Sequence, residues 1–378
     1  MTGTLQELTA KLVSIDSTNP TLSPDAAGEQ EIAAFVADWC RDSSLDVRIV
    51  DADGRPSVVA VARGTGGGRS LILNGHFDTV GVEGMDDPFR PRVEAGRMYG
   101  RGAGDMKASV AAMMVTLSRA RTMDLRGDVV MTAVADEEAY SVGTTAVLDS
   151  GVTADAAIVT EPTSGDVLVA HKGFVWADVT TRGRAAHGSR PEDGLDAIAK
   201  MGAFLRGLED LQAELEQRAG DPLLGSGSVH ASVIAGGREM SSYPATCRLG
   251  VERRTVPGET ARSVITELEE IAERCRRADP GFQATIDLTF ERRPFSIDSG
   301  HEIVEQVRTV AERSSGRRPR VAGSAGWMDA ALLSERSIPT VIYGPAGGDF
   351  HGDNEWVDVA SIEVCAEVLT EVAKAYCA

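Results

Sequence analysis

Six histidines occur in the chain, and two of them, His76 and His351, sit in glycine-rich loops that follow apolar runs. Leu71 to Leu73 leads directly into Asn74-Gly75-His76-Phe77-Asp78. Gly100, Gly102 and Gly104 lead to Asp105. Glu137 and Glu138 follow the run Val129 to Val134, and Glu161 follows Ala156 to Thr160. His76, Asp105, Glu138, Glu161 and His351 form a nitrogen/oxygen ligand set. It suits zinc, cobalt or manganese and lacks the thiolates of a structural zinc site. Two ions could share Asp105 as a bridging carboxylate, leaving Glu137 beside a liganding Glu138 and free to act on water at the metal. Asp105, Glu137, Glu138 and Glu161 crowd one site. Two divalent cations would neutralise them, and like-charge repulsion would otherwise raise some of their pKa values. Each residue also has a plainer reading: Asp105 as a helix N-cap, Glu137-Glu138 as a solvated pair, Glu161 before Pro162 as a turn residue, and the histidines as loop residues.

The elements that must position these residues follow from periodicity. Helical spacing covers Leu5 to Ile15, Glu29 to Arg41, a run starting at Asp105 and ending near Ala120, and Gly143 to Ser150. Between them lie apolar strands at Val47 to Asp51, Ser57 to Ala62, Leu71 to Leu73, Val129 to Val134 and Ala156 to Thr160. This alternation predicts an α/β fold, a mostly parallel sheet flanked by helices. Chemistry in such sheets gathers beyond the carboxyl ends of the strands, where His76, Glu137, Glu138 and Glu161 fall. From about His171 the pattern changes to four strands and two helices, a smaller α+β unit. From Arg292 the α/β pattern returns. The expected organisation is a discontinuous metal-binding domain, residues 1–171 and 292–378, interrupted by a domain at 172–291.

Composition narrows the function classes. The chain has 378 residues, and its net charge of −19 arises from 57 acidic against 38 basic residues. That balance argues against nucleic acid and anionic membranes as partners. No run of about 18 apolar residues occurs, so no membrane span is expected. The N-terminal stretch lacks a basic segment followed by an apolar run, so no signal peptide is expected. Cys40, Cys247, Cys275, Cys365 and Cys377 are scattered and odd in number. That favours reduced thiols and a cytoplasmic setting over a disulfide framework.

The runs GHFDTV (from Gly75), GRGAGDMKA (from Gly100), ADEEAYSVGT (from Ala135), VTEPT (from Val159), GRAAHGSRPEDG (from Gly183), ERRTVPGE (from Glu252) and GPAGGDFHGDNEWV (from Gly344) occur in this order. Taken together the chain resembles the co-catalytic zinc exopeptidase and deacylase family, which includes acetylornithine deacetylase, succinyl-diaminopimelate desuccinylase, aminoacylase and glutamate carboxypeptidase. The resemblance spans essentially the whole chain. It implies that His76 and Glu161 bind a first metal ion, Glu138 and His351 a second, and that Asp105 bridges them. Asp78 would orient the His76 ring, and Glu137 would be the general base. The resemblance also implies that 172–291 is a dimerisation domain whose His187 reaches the partner subunit's site to hold the developing oxyanion, and that Arg254 binds a substrate carboxylate.

Two stretches depart from the family pattern. Ser241 stands where an asparagine often helps bind that carboxylate. Bulky Trp327 and Met328 precede Asp329, where smaller polar residues are common. The expected activity is hydrolysis of the amide bond of a small N-acyl amino acid by a homodimer holding two divalent ions, zinc first, with cobalt or manganese as alternatives. A dipeptidase or glutamate-carboxypeptidase-like exopeptidase is the alternative within enzymes. A non-catalytic metal-dependent binding protein is the more distant one.

Overall fold

The computed structural model describes residues 4–378. Its contacts divide the chain into two units. One runs to Val169 and resumes over Ile297–Ala322 and Met328–Ala378; the other comprises Ala170–Ser296 and Gly323–Trp327.

A capping box starts the first helix: the Glu7 amide donates to the Thr4 hydroxyl, and the Thr4 amide donates to the Glu7 carboxylate. α1 (Leu5–Val13) and α2 (Gln30–Asp42) are followed by the hairpin β1 (Asp46–Ala52) and β2 (Arg55–Ala62), then β3 (Leu71–His76). After the short β4 (Arg92–Glu94) and β5 (Arg97–Tyr99) come α3 (Ala108–Ala120), β6 (Val129–Val134), α4 (Val142–Asp149), β7 (Ala156–Val159) and β8 (Val167–His171).

The second unit contains β9 (Gly173–Arg182), α5 (Ala197–Gln217), β10 (Ser228–Gly236), β11 (Thr246–Thr255), α6 (Ala261–Ala278), β12 (Gln283–Arg292) and β13 (Phe295–Ser296). The four long strands form an antiparallel sheet in the order β10-β11-β9-β12. Val175, Ala177, Val179, Leu249 and Val251 alternate inward from β9 and β11. They pack with Met201, Phe204, Leu208, Leu268 and Ile271 of α5 and α6. β10 is an edge strand, and it leaves Val233 and Ile234 exposed at 69% and 53%.

The chain then completes the first unit with α7 (Glu302–Ser315), β14 (Val321–Ser324, which overlaps the unit boundary), α8 (Ala330–Glu335), β15 (Thr340–Ile342), β16 (Gly347–Gly348), β17 (Trp356–Asp358) and α9 (Val359–Tyr376). Its large sheet runs β1-β2-β6-β3-β7-β15-β8. The centre, β6-β3-β7-β15, is parallel, and antiparallel strands flank it. This is the α/β sheet expected from the strand–helix alternation. Every residue of β3, β6 and β7 is buried, as strands covered on both faces require. Val58, Ala60, Leu71 and Leu73 join the core beneath α3, and α9 packs against α3. α4 contacts β1, β2 and β6 and also α8. Burial of Val368, Leu369 and Val372 holds α9 in place, each worth about 1.5–3 kcal/mol in area terms. Among the described residues, no helix is long and apolar enough to cross a membrane.

The register sets up the site. His76 pairs with Val134 and Asn74 with Val159, so β3, β6 and β7 end in step. The loops carrying Glu137, Glu138 and Glu161 therefore leave the sheet along the same edge as His76. One sequence expectation fails locally. The helix anticipated from Asp105 onward begins only at Ala108. Asp105 and Met106 have non-helical backbones (φ −124°, ψ 92° and φ −137°, ψ 36°), and the peptide bond between them is cis. Asp105 is thus not the N-cap of α3. Four short strands, β4, β5, β16 and β17, form a small sheet that the hydrophobic pattern does not reveal.

Candidate active site

His76 is the last residue of β3, and its side chain is 1% exposed. Gly75, just before it, leaves no room for a side chain: a Cβ there would stand 2.7 Å from the Met106 Cε. The His76 ring faces carboxylates on both sides. Its Nδ1 lies 3.0 Å from the Asp78 carbonyl oxygen and 3.5 Å from the Asp78 carboxylate. Its Nε2 lies 3.1 Å from Asp105 Oδ1, 3.6 Å from Glu161 Oε1 and 3.9 Å from Glu137 Oε2. The other Asp105 oxygen, Oδ2, is 3.4 Å from His351 Nε2, which is also 3.1 Å from Glu138 Oε2. Asp105 thus presents one oxygen to each imidazole. Donor atoms within 4.8 Å of one another form two overlapping triads, His76–Asp105–Glu138 and His76–Glu137–Glu161.

The six residues anticipated for the centre, His76, Asp105, Glu137, Glu138, Glu161 and His351, therefore converge. Burial is uneven: the His76 side chain is sealed, whereas that of His351 is 53% exposed. His351 also holds a left-handed backbone (φ 62°), as does Asp136 (φ 68°) before the two glutamates. Such conformations cost on the order of 1–3 kcal/mol each and persist where the surroundings fix them. For Asp136 the fixing contacts are clear. Its carboxylate accepts the Tyr140 and Val142 amides, the Asn19 side-chain amide at 3.1 Å, and the Arg55 guanidinium at 3.0 Å.

The electrostatics follow from crowding charge away from water. Burial pushes the Glu137 and Glu161 carboxyls well above their ordinary range. Burial, then the Asp105 charge, raises Glu138. Burial also opposes ionisation of Asp105, but hydrogen bonds from His351 and His76 outweigh it and hold this carboxyl low. Burial disfavours a charged His76, yet Glu161, Asp105, Asp78 and Glu137 together raise it well above the usual imidazole range. Hydrogen bonds to Asp105 and Glu138 lift His351 to about 10. The cluster draws in positive charge, as an acidic metal site does. Oxygen-rich donors with two imidazoles and no thiolate fit divalent zinc, cobalt or manganese.

One supporting residue escaped the sequence reading. Asn19 is fully buried and donates to Asp78 Oδ2 at 2.8 Å as well as to Asp136. Asp329, buried, accepts the Thr144 hydroxyl, and burial raises it to about 6. Asp78 does more than face His76: its carboxylate accepts the Glu137 amide at 3.1 Å and the Glu138 amide at 3.3 Å. The only signal for Asn19 in the sequence is a polar residue in a Ser-Thr-Asn-Pro turn, which also suits a plain loop.

The residues anticipated to meet the substrate lie in the second unit, at two places. His187 is exposed, its Nδ1 is 2.8 Å from the Ser189 hydroxyl, and its backbone bridges Ser242. Ser241 is beside it, its carbonyl accepting the Gly188 amide at 2.7 Å. Arg254 is near the opposite end of the ten-residue β11, roughly 30 Å away at strand rise. Its Nε donates to Glu252 at 2.7 Å, and its guanidinium stacks 5.1 Å from the Phe174 ring.

Known proteins resemble this chain along its length. The profile of peptidase family M20/M25/M40 matches residues 72–375. The chain is 32% identical to an acetylornithine deacetylase of Myxococcus xanthus, over 100% of this chain and 99% of that protein. It is 28% identical to an N-formyl-4-amino-5-aminomethyl-2-methylpyrimidine deformylase of Halalkalibacterium halodurans, over 95% and 92%. Among solved structures, aminopeptidase PepT of Bacillus cereus shares the fold with a TM-score of 0.80 at 21% identity, covering 97% of this chain and 96% of that one. A dinuclear metal-binding M20 peptidase of Bacillus subtilis does so with a TM-score of 0.76 at 17% identity, covering 99% and 97%. The sheet, the converging carboxylates and imidazoles, and the match along the chain lead to one conclusion: this protein belongs to the M20/M25/M40 peptidase family, hydrolases of amide and peptide bonds.

Proposed function

We propose that this protein is a two-metal amidohydrolase that removes the acyl group from a small N-acyl amino acid. The observation that carries the reading is the pair of imidazoles at the two oxygens of Asp105, with Glu137 standing beside them. His76, Asp105 and Glu161 would hold one ion and His351, Asp105 and Glu138 the other, with zinc the first choice and cobalt or manganese as alternatives. Bound divalent cations supply Lewis acidity and bring the pKa of a coordinated water toward ~7. Glu137 takes the proton of the attacking water and returns it to the leaving nitrogen. Asp78 fixes the His76 ring on one side and the backbone of Glu137 and Glu138 on the other.

The second unit supplies substrate contacts and the partner. Arg254 binds the substrate carboxylate as a charge-assisted fork, exchanging Glu252 for the substrate, and Ser241 assists. The partner subunit's His187 holds the developing oxyanion. The exposed apolar edge strand β10 supports residues 172–291 as a dimerisation domain, because an unpaired edge is a template for a second strand. The free and mostly buried cysteines support a cytoplasmic setting.

Both curated relatives are named for removing an acyl group from nitrogen, which favours a deacylase over a peptidase. Paired assays with zinc, cobalt or manganese test this. N-acetyl, N-formyl and N-succinyl amino acids should be cleaved at least about 100-fold faster in kcat/KM than the matching dipeptides, equivalent to roughly 2.7 kcal/mol of transition-state discrimination. A preference for dipeptides would make the protein an exopeptidase. No hydrolysis of either series with any of the three metals would leave a binding protein.

A further inference from the structure

Glu355 lies four residues beyond His351 and is 1% exposed. Its carboxylate accepts four donors. Oε1 takes the backbone amides of Gly104 and Asp105, each at 2.9 Å. Oε2 takes the Gly102 amide at 3.0 Å and Arg101 Nη1 at 2.7 Å. Arg101 is itself sealed at 2% exposure, and its Nε donates to the Gly81 carbonyl at 2.9 Å. The two chain segments are also joined by their backbones: the Gly100 amide donates to the Glu355 carbonyl at 3.2 Å, and Tyr99 pairs with Trp356. Gly104 permits the approach, since a Cβ there would be 2.8 Å from both Phe350 Cε1 and the Trp356 carbonyl oxygen.

A carboxylate sealed from water is costly unless its oxygens are fully paired. Here every bond but the Arg101 pair goes to the backbone of one short loop, the loop that ends in Asp105. We infer that Glu355 is a positioning residue for the metal centre, acting through Asp105: it fixes the backbone that aims the two Asp105 oxygens at His76 and His351 and ties that loop to the segment carrying His351. Arg101 places a positive charge against the sealed Glu355 carboxylate. The inference rests on the metal-binding reading of the site. Ligand-supporting partners of this kind typically matter by 10–100-fold in metal affinity.

The test uses the whole protein, stripped of metal and titrated with Co(II), with affinity measured by chelator competition and coordination by the Co(II) visible absorption. Glu355→Gln keeps the shape but offers one accepting oxygen in place of two, and its amide group would face backbone donors. It should weaken Co(II) binding by about 10–100-fold and alter the absorption envelope. Val372→Ala, in the buried face of α9, lowers the melting temperature without touching the loop and serves as the stability control; it should bind Co(II) within threefold of wild type. If Glu355→Gln does not fold, Glu355→Asp and Arg101→Gln carry the same comparison with milder losses expected. Glu355 variants that bind Co(II) within threefold of wild type, or no more weakly than Val372→Ala, would overturn the positioning role. A wild-type protein that binds no Co(II) would overturn the metal reading itself, and this inference with it.

Discussion

The proposed metal centre and the residues of the second unit proposed to meet the substrate are built differently. Around His76 and Asp105, each side chain is buried or held by several partners, and those partners are themselves held. Asp78 binds Asn19 and the Glu137–Glu138 backbone; Asp136 binds Asn19 and Arg55. His187 and Ser241 stand at an exposed turn, and Arg254 is 34% exposed and paired with one neighbouring glutamate. The contrast teaches a division of labour. On the proposed reading, the group that sets the reaction type is over-determined by the fold, whereas the residues assigned to the substrate have few partners. Pre-organisation lowers the cost of reaching the transition state in the first place, and adaptability permits different guests in the second.

This contrast can be tested, beginning with the largest effect. Replacing Glu137 with Ala should leave metal content intact and lower kcat by about 10²–10⁴-fold, the usual contribution of a positioned base. Near-normal turnover on the best N-acyl substrate would show that another group takes the proton. His187→Ala should lower kcat by about 10²–10³-fold, as loss of an oxyanion donor does, and leave metal binding unaffected. Arg254→Ala should act on the other kinetic constant, raising KM by about 10–100-fold, the equivalent of a lost charge-assisted bond of 1.5–3 kcal/mol, with kcat nearly unchanged. A reversed split, with kcat falling and KM constant, would place Arg254 in the chemistry.

The smallest effect expected is on stability and depends on pH. In the metal-free protein His76 and His351 have raised pKa values, the latter about 10. A raised imidazole contributes stability below its unfolded pKa of about 6.5, and that contribution is lost as pH rises through the folded value. Glu137 and Glu161, also raised, act in the same direction, because the folded state binds more protons than the unfolded one. The melting temperature of the stripped protein should therefore fall between pH 6.5 and 10. The metal-bound protein should lack this decline, since cations replace the protons, and metal affinity should rise with pH. Melting curves that run parallel with and without metal across that range would contradict the coupling.

Much of the fold was legible because strong local signals pointed the same way. Leu71 to Leu73, Val129 to Val134 and Ala156 to Val159 are apolar runs too short for helices, and each ends at a residue capable of chemistry. Their common placement at strand ends made the site visible before any distance was known. Asp105 was legible as a candidate ligand but not in its local structure. A glycine-led aspartate before an apolar helical run reads as an N-cap, and only the tertiary contacts of its loop override that preference. The small sheet of β4, β5, β16 and β17 left no pattern because its strands are two or three residues long. Asn19 and Glu355 were invisible as supports for a different reason. Their partners stand 59 and about 250 positions away, and a polar loop residue looks the same in sequence whether it meets water or a buried carboxylate.

The central claim is that the His76–Asp105–His351 cluster with its glutamates is a two-metal hydrolytic centre. Titrating metal-stripped protein with Zn(II), while following release of amino acid from the preferred N-acyl substrate, tests it most directly. Activity should be absent without metal and reach its plateau at two equivalents per chain. Full activity in the stripped protein under excess chelator, or a plateau at one equivalent, would contradict it.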